Sequence, residues 1–442
     1  MGTTMASQKG IAFRQFDFSR KPDLKIDLIQ LIRKNFMGFM DRVDESKRWI
    51  WQPSLDGIKA LSSAFDDPEN IVLHHFTVAP EIIYAMGLKP LCLEALSFLA
   101  PVEHLCAYVD ESRSAYVPDH LCSFISGWLG MLHLDIIPKP SAIIHCTQPC
   151  DNTVAAGAIL ADHYDTEMFV LDTPYYDTDE AHEYYAQQIK QAFKYLERMT
   201  GKKLDIDRFR EVMERSHRAY ELLHQINELK KRRPCPIPAN PLLRQTSIAM
   251  YGLTGTLQLV EWLETHLADA RMRVEKGIGG TYEERIRVVW NMSWPIFDWA
   301  IYEWMEKEYG AISVAYQSAE PFYMPRDISS ADFDQLCKAL AIRNLNSSMG
   351  RQGRGHFEGF IRDSVYWCRE WGADACIFAG HLQCQANWSA AQICKEVLMD
   401  ELGIPTLIFT VDQVDPRVAS QDQMVAKLEP FLEMVSENMM RS

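Results

Sequence analysis

Several features that would quickly assign a protein to a functional class are missing from this sequence. No stretch reaches the roughly 18 consecutive apolar residues that a membrane-spanning helix needs. Basic residues are outnumbered, 45 to 60, and the formal net charge of −15 argues against a nucleic-acid backbone as the main partner. The opening residues MGTTMASQKG lack the basic-then-apolar pattern of a signal peptide. We therefore expect a soluble, cytoplasmic protein that binds neither membranes nor nucleic acid.

Common metal and nucleotide motifs are missing as well. The sequence has no CxxC, no HExxH and no cysteine and histidine set at zinc-finger spacing. The glycine-rich GIGG at 277–280 has neither GxGxxG nor Walker spacing, which predicts a turn rather than a phosphate loop.

Cysteine, by contrast, is abundant for a cytoplasmic chain. The 11 cysteines are odd in number and lack the tight, regular spacing of a small disulfide scaffold, so disulfides are the weaker explanation. Most free cysteines are small buried hydrophobes, and local context must separate these from ligands. Four cysteines lie in helical patterns, one lies mid-strand, and these five are interpreted as packing residues: Cys92, Cys337, Cys368, Cys394 and Cys376. Cys235, between two prolines, is interpreted as a linker residue.

The alternation of apolar strands and helical segments predicts two parallel α/β domains. A chain of 442 residues is too long for one core. PSAIIHC and EMFVLD are typical of strands around a small-residue helix, and strands and helices alternate again after residue 284. Prolines between 234 and 238 stop the intervening helices. The predicted division is a helical region 1–70, an α/β domain 71–235, a helical connector 236–283 and a second α/β domain 284–442.

Three cysteines stand where parallel strands end and helices begin. Cys150 follows the strand SAIIHC, Cys384 follows ADACIFAG, and Cys122 opens a helical pattern after Pro118. Ligands in open α/β sheets bind at the carboxyl ends of strands, and helix N-termini favour thiolates. The pattern predicts one iron–sulfur site in the cleft between the two sheets. Cys146 lies only four residues before Cys150 but falls inside the strand, which favours packing.

Six segments in order resemble one enzyme family. VAPEIIYAMGLKP, HLCSFISGWLG, PCDN, FVLDTPY, RIRVVWNMSWPIFDW and GHLQCQANWSAAQICKEVLMDELGIPTLIFTVDQVDPR are similar to the catalytic subunits of the 2-hydroxyacyl-CoA dehydratase and benzoyl-CoA reductase superfamily. The resemblance covers the chain from about residue 70 onward. It implies two flavodoxin/Rossmann-like domains with helical accessory regions. It also implies a 4Fe–4S cluster on Cys122, Cys150 and Cys384.

The resemblance further implies a radical mechanism. One low-potential electron delivered to the thioester carbonyl makes a ketyl radical, which expels the α-hydroxyl and acidifies the β-proton. Three thiolates would leave one iron with an open position for a substrate oxygen. The electron would come from a separate ATP-hydrolysing iron–sulfur activator protein, and a homologous sister subunit would complete the enzyme.

Four further residues are candidates for the site, each with a plainer alternative. Thr77 and Glu81 resemble the family segment that lies over the substrate, or else form an ordinary hydroxyl and a helix N-terminal carboxylate. His381 could hydrogen-bond a cluster sulfide or move a proton, or be a satisfied loop histidine. Arg354, in the glycine-flanked GRQGRG, could bind the phosphates of CoA, or lie in a solvated loop.

The motifs leave the reaction open among three hypotheses. PCDN and GIPTLIFTVDQVDPR favour a 2-hydroxyacyl-CoA dehydratase, which forms a 2-enoyl-CoA by loss of water. CQANWSAAQ and GKKLDIDRFREV also resemble the cluster-bearing subunit of an ATP-dependent, dearomatising benzoyl-CoA reductase. A non-catalytic cluster scaffold or electron carrier is the third hypothesis.

Overall fold

The fold was analysed in a computed structural model, which describes residues 14–237, 245–246, 249–280, 282–291, 293–297, 299–317, 320–355 and 357–441. The strands are β1 Ile71–His74, β2 Lys89–Cys92, β3 Ala142–Cys146, β4 Met168–Leu171, β5 Ile286–Trp290, β6 Ala311–Tyr316, β7 Ala375–His381 and β8 Thr406–Val411. The named α-helices are α1 Leu28–Met40, α2 Gln52–Phe65, α3 Glu81–Ala85, α4 Leu93–Leu99, α5 Val102–Ala115, α6 Ser123–His133, α7 Asp151–His163, α8 Asp179–Thr200, α9 Ile206–Lys230, α10 Leu257–Lys276, α11 Ala300–Tyr309, α12 Phe333–Leu345, α13 Gly350–Gly353, α14 Phe357–Glu370, α15 Gln385–Leu402 and α16 Gln421–Arg441. Short 3₁₀ turns lie at Glu45–Trp51 and Pro68–Asn70.

The strands form two four-stranded parallel sheets with the same topology. Their orders are β2-β1-β3-β4 and β6-β5-β7-β8. In each sheet the second strand of the chain pairs with one side of the first strand, and the third and fourth strands follow on the other side, as in flavodoxin-like folds. The predicted fold class, two parallel α/β sheets with flanking helices, is confirmed. Each sheet therefore has a topological switch point, at β1 and β3 in the first and at β5 and β7 in the second.

The central strands are buried on both faces, which explains their continuous apolar sequences. All residues of β3 and all residues of β7 are buried. A parallel sheet covered by helices on both sides has no polar face, so its strands lose the alternation of a half-exposed sheet. Three tryptophans of the second domain, Trp290, Trp294 and Trp304, are buried as well.

The predicted packing cysteines are buried, but one of them lies in a different element. Cys337, Cys368 and Cys394 lie on helices and Cys376 on β7, as predicted. The helical placement of Cys92 is wrong, because it is the last residue of β2 and pairs with His74. The helical periodicity of LEALSFL begins one residue later, at the start of α4. Cys235 is buried, and its backbone N–H donates to Glu284, so it is packed against the second domain.

The helical regions agree with the patterns of the sequence where they are described. Residues 28–65 contain α1 and α2, and Gly277 ends α10 in the left-handed conformation with φ 64°, which confirms the predicted turn. Residues 238–244 and 247–248 of the expected connector lie outside the described residues. The exact domain limits stay predictions. Within the described ranges, none of the helices has the length and apolar character to cross a membrane.

A buried ion pair fixes α9 to the second domain. Lys230 Nζ, at the end of α9, lies 2.6 Å from Glu320 Oε1, and both side chains are almost fully buried. Arg287, in β5, donates to the backbone carbonyls of Lys230 and Trp371. A buried charge without a partner is costly, so these contacts hold the two α/β units in a defined relation. The cleft between the carboxyl ends of the two sheets is thereby preorganised.

Candidate functional site

The three predicted ligand cysteines occupy the same local position, the residue that caps a helix N-terminus. Cys122 precedes α6, Cys150 precedes α7 and Cys384 precedes α15. Cys150 follows β3 and Cys384 follows β7, so each stands at the switch point of its own sheet. The first and second domains thus contribute equivalent cysteines, and α6 contributes the third.

Each thiol lies against the backbone N–H groups of the first turn of its own helix. These groups favour the thiolate: Phe124 lowers the pKa of Cys122, Thr153 and Asn152 lower that of Cys150, and Asn387 and Ala386 lower that of Cys384. Hydrogen bonds of this kind stabilise negative charge on sulfur. These contributions are smaller than the effect of burial, which raises the pKa of each thiol overall.

Burial and mutual repulsion oppose that charge when no cation is present. Burial is the main cause that raises the pKa of all three thiols, to about 11 at Cys150. The charge of Asp412, and after it those of Cys150 and Cys384, further raise the pKa of Cys122, and the charge of Cys384 raises that of Cys150. The three cysteines therefore lie in one electrostatic environment, and their joint role as ligands stays a prediction. A positively charged iron centre would relieve both penalties.

In the described ranges, no group of three or more histidine, cysteine, aspartate or glutamate side chains is placed to hold a metal ion. In a 4Fe–4S cluster each cysteine binds a different iron, so the sulfurs need not reach a common point. The 4Fe–4S cluster on Cys122, Cys150 and Cys384 stays a prediction.

His381 contacts one of the thiols from the end of β7. Its Nε2 lies 3.3 Å from Cys122 Sγ, and its Nδ1 accepts a 3.2 Å hydrogen bond from the backbone N–H of Gln413. Because Nδ1 accepts, the proton of the neutral ring is on Nε2, and Nε2–H donates towards the sulfur. Burial lowers the pKa of His381, although Asp412 opposes this, which keeps the ring neutral near pH 7. The residue is buried and belongs to a strand, so it is not a loop histidine.

Asp412 and Ser123 join the two domains directly behind Cys122. Ser123 Oγ, in the first turn of α6, donates to Asp412 Oδ1 at 2.7 Å. The same oxygen accepts the backbone N–H groups of Val414 and Asp415 at 2.9 and 3.0 Å. Sequence reasoning missed this pair, although the position of Asp412 directly after the apolar strand β8 was an available signal. The contact fixes Cys122 relative to the second sheet.

Thr77 anchors the turn that carries Cys150. Its hydroxyl is buried, lies 2.8 Å from His75 Nδ1 and 2.6 Å from Cys146 Sγ, and donates to the carbonyl of Gln148 at 2.9 Å. Gln148 is two residues before Cys150. The contacts of Thr77 therefore connect β1 to the strand end of β3, on the path to the cysteine.

Replacing Thr77 by valine is expected to weaken iron retention rather than to prevent folding. Valine keeps the shape but removes the hydroxyl that donates to the Gln148 carbonyl, which then keeps the Cys146 thiol as a donor, and loss of one buried hydrogen bond costs about 0.5–1.5 kcal/mol. We expect iron to be lost to a chelator about tenfold faster, whereas Thr77→Ser retains the wild-type rate because it keeps the hydroxyl. Equal rates of iron release for Thr77→Val and the wild type would contradict this role.

Glu81 begins α3 and is fully buried in an ion pair. Its Oε1 contacts Arg343, on α12, and accepts a 2.7 Å hydrogen bond from Ser216 Oγ, on α9. Arg343 also lies 5.1 Å above the ring of Tyr220. The helix N-terminal position is as the sequence suggests, but a partner 262 residues away is not visible in a local pattern. Glu81 is therefore held as part of a charged pair.

A small cavity of about 20 Å³ lies beside Glu81. The described residues of its lining are Phe76, Val78, Ala79, Pro80, Glu81, Tyr220, Met250, Tyr251, Thr254, Arg343, Asn344, Ser347 and Ser348. The cavity adjoins the Cys150 turn, because Asn344 Nδ2 donates to the carbonyl of Thr77 at 3.1 Å. A cavity of this volume holds about one water molecule.

Arg354 lies in a packed segment instead of a solvated loop. Gly350–Gly353 forms the short helix α13, and Arg354 is only 8% exposed. Its guanidinium lies 3.0 Å from Asp177 Oδ1. A side chain at Gly353 would collide with Pro149, the residue before Cys150, so α13 packs directly on the cysteine turn. The role of Arg354 in binding phosphate stays a prediction.

The fold and the site together define a structural class. It is a protein with two parallel α/β sheets in which a cysteine follows a central strand of each sheet, at the topological switch point. The model of the family described as 2-hydroxyglutaryl-CoA dehydratase, D-component, matches residues 76–435, and the chain belongs to this family. The match confirms the resemblance that the motifs indicated. The chain is accordingly an enzyme subunit of the dehydratase and reductase kind.

The similar proteins of known activity include subunits of 2-hydroxyacyl-CoA dehydratases and of a benzoyl-CoA reductase. The chain is similar to the (R)-phenyllactyl-CoA dehydratase alpha subunit of Clostridium sporogenes, 24% identical over 68% of this chain and 72% of the relative. It is 22% identical to the alpha subunit of the (R)-2-hydroxyglutaryl-CoA dehydratase of Acidaminococcus fermentans, over 68% of this chain and 62% of the relative. A benzoyl-CoA reductase subunit of Thauera aromatica is 22% identical over 74% of this chain and 79% of its own length.

Proposed function

We propose that the chain is the iron–sulfur subunit of a 2-hydroxyacyl-CoA dehydratase, which eliminates water from a 2-hydroxyacyl-CoA to give a 2-enoyl-CoA. The observation that supports the proposal is that Cys122, Cys150 and Cys384 each occupy the N-cap position of a helix, two of them directly after central strands of two sheets with the same topology. The names of the relatives supply the reaction class, since several are dehydratases of CoA thioesters.

The residues at this position fit a 4Fe–4S cluster. The three thiols would hold it, each with backbone N–H donors that stabilise the thiolate. When bound, such a cluster would supply the low-potential electron that forms a substrate ketyl radical, and it would leave one iron without a protein ligand. The protein itself would position the cluster, exclude water from it and donate hydrogen bonds to it. His381 Nε2–H donates to the Cys122 sulfur, and hydrogen bonds to ligand sulfurs tune the redox potential of a cluster.

Glu81 is suited to move a proton of the substrate. Net loss of water requires removal of the β-proton after the α-hydroxyl has left, and a buried side chain that accepts this proton would serve as a base. Glu81 Oε2 has no hydrogen-bond partner although it is buried beside the cavity, so one oxygen is available to a substrate proton. We assign Glu81 the role of base.

The remaining groups serve binding and electron supply. Arg354 has one buried guanidinium nitrogen, Nη1, without a hydrogen-bond partner. Arg354 would bind a phosphate of CoA if the Asp177 carboxylate moved away from the guanidinium. Thr77 would position Cys150 and not touch the substrate. A homologous sister subunit and an ATP-hydrolysing iron–sulfur activator would complete the system, since the sequence has neither a Walker nor a GxGxxG motif.

A dearomatising benzoyl-CoA reductase is the second candidate. It is favoured by the similarity to the benzoyl-CoA reductase subunit of Thauera aromatica, which extends over 74% of this chain. Both reactions would use the same thiols, so the ligand residues do not separate them. A non-catalytic cluster scaffold or electron carrier is a third candidate, which the buried Glu81 and its cavity disfavour.

The assay that tests the proposal combines the anaerobically purified chain with its sister subunit, the activator and ATP. We expect 2-hydroxyacyl-CoA thioesters to be converted to 2-enoyl-CoA, with no turnover when the activator or ATP is left out. Conversion of benzoyl-CoA alone would select the reductase. Turnover of neither thioester class by an iron-loaded complex would overturn both enzymatic proposals and favour the scaffold.

A further inference from the structure

A second cavity lies between α9, the segment after β6 and the end of α14, and we call it the α9–α14 cavity. Its volume is about 90 Å³, and none of the three capping cysteines is among its described lining residues. One water molecule needs about 10–15 Å³, and an engineered cavity of about 150 Å³ holds benzene. The α9–α14 cavity therefore has room for most of a single ring.

Aromatic rings form much of the wall of this cavity. Trp367 and Trp371 stack with ring centroids 4.2 Å apart, and Phe322 lies 4.8 Å from the ring of Trp367. Tyr323 stacks on His224 at 4.8 Å, with an interplanar angle of 15°. Because these rings hold one another in place, the wall is preformed. Planar groups bind to such walls through dispersion and the hydrophobic effect.

Two buried polar atoms of the lining residues lack hydrogen-bond partners. Trp367 Nε1 is a donor and Asn227 Oδ1 an acceptor, and the two residues are only 4% and 7% exposed. Unpaired buried groups are costly, so they favour an occupant that both accepts and donates a hydrogen bond. A hydroxyl group does both, whereas a hydrocarbon ring does neither.

The charges at the mouth of the cavity disfavour an anion. Lys231 Nζ lies 2.9 Å from Glu228 Oε1 and 2.8 Å from Glu370 Oε2, and the three side chains are 31, 49 and 36% exposed. One positive charge is thus shared between two carboxylates, which leaves one negative charge over. An anionic ligand would meet that charge, and the described lining has no lysine or arginine free of a carboxylate partner to compensate.

An organic cation is disfavoured as well, because cations already lie over two of the rings. The guanidinium of Arg351 is 4.2 Å from the ring centroid of Phe322. Lys230 Nζ is 5.6 Å from the ring centroid of Trp371. A further cation against these rings would be repelled by both charges. The wall is consequently suited to an uncharged ring.

We propose that the α9–α14 cavity binds a small, uncharged aromatic molecule with a hydroxyl group, of which phenol is the simplest. The proposal is independent of the reaction at the capping cysteines. The site joins two parts of the fold, since α9 holds α3 through Ser216 and Glu81, whereas α14 leads into β7 of the second sheet. A molecule bound there contacts both parts.

Titration of the anaerobically purified protein with phenol and three related probes tests the proposal. Toluene keeps the ring and lacks the hydroxyl, cyclohexanol keeps the hydroxyl and lacks the flat ring, and benzoate adds a negative charge. Ligand-detected NMR gives a dissociation constant for each probe. We expect phenol to bind at least about fivefold more tightly than each of the others, a difference that one hydrogen bond or one aromatic contact can supply.

Two substitutions locate the site. Asn227→Leu removes the acceptor and Trp367→Phe removes the donor, so each should reduce the preference for phenol over toluene, and either variant suffices if the other does not fold. Trp304→Phe is the matched control, because Trp304 is buried but lies outside the described lining, and it should leave the phenol affinity unchanged. The proposal is overturned if phenol binds the unmodified protein no more tightly than the other probes, or if its affinity is unchanged in the cavity variants. Absence of binding by all four probes would also overturn it and leave the cavity to water alone.

Discussion

Replacing Cys122, Cys150 or Cys384 by alanine, one at a time, is expected to abolish iron binding in anaerobically purified protein, which otherwise holds about four irons per chain. Each thiol caps a different helix, and no two of them are neighbours in sequence, so no remaining cysteine stands in for the missing one. Iron and sulfide content and the visible absorption of the cluster measure the loss without an activity assay.

The matched control is Cys337→Ala. Cys337 is equally free and is buried, but it packs in α12 within the core of the first sheet. We expect this variant to keep the full iron content and to lose only the modest stability of a buried methyl-sized group. Normal iron content in any of the three ligand variants, or loss of iron in Cys337→Ala with the protein still folded, would contradict the ligand assignment.

The thiol positions could be predicted because the local sequence around each one indicates an element boundary. Cys150 and Cys384 follow apolar strands and precede small-residue helices, and parallel sheets gather the ends of such strands at one edge. The sequence pattern does not give the order of the strands in the sheets. The structure shows that this order is the same in both sheets and that it places Cys150 and Cys384 at the switch points. Local patterning is sufficient wherever the functional group lies at the boundary of a regular element.

The groups that tune the site could not be predicted, because their partners are remote in the chain. Arg343 has the pattern of an ordinary polar residue of an amphipathic helix, yet it pairs with Glu81 across 262 residues. Ser123 meets Asp412 across 289 residues. Such contacts depend on how the two α/β units are docked, and hydrophobic periodicity carries no information about docking. The solvated-loop interpretation of GRQGRG failed for the same reason, since Pro149 and Asp177 cover that segment.

The equivalence of the two sheets also explains why two domains are needed. A single flavodoxin-like sheet presents one switch point and hence one capping cysteine of this kind. Pairing two such units doubles the number of thiols, and the Ser123–Asp412 contact fixes the third thiol between them. The buried ion pair between Lys230 and Glu320 then maintains the spacing. Separation of the units would scatter the ligands, so cluster binding and domain docking are expected to be coupled.

Replacing Glu81 by glutamine is expected to lower the turnover rate about 10²- to 10⁴-fold, the range typical for loss of a general base, while the iron content remains that of the wild type. Glutamine keeps the size and can still accept from Ser216, but it cannot accept a proton. The change also leaves Arg343 buried and unpaired, and breaking a buried pair can cost up to about 3–5 kcal/mol of stability. The rate must therefore be compared with a control of equal structural cost.

Glu320→Gln is that control. It removes a carboxylate from an equally buried ion pair, leaving Lys230 unpaired, but it lies outside the described lining of the Glu81 cavity. We expect the two variants to show similar decreases in melting temperature, whereas only Glu81→Gln loses turnover per iron-loaded complex. Stopped-flow measurement of one electron delivered per cluster distinguishes proton transfer from electron supply, since the first electron should still arrive in Glu81→Gln. An equal loss of turnover in both variants would reduce Glu81 to a structural residue, because the rate would then follow stability and not the proton acceptor.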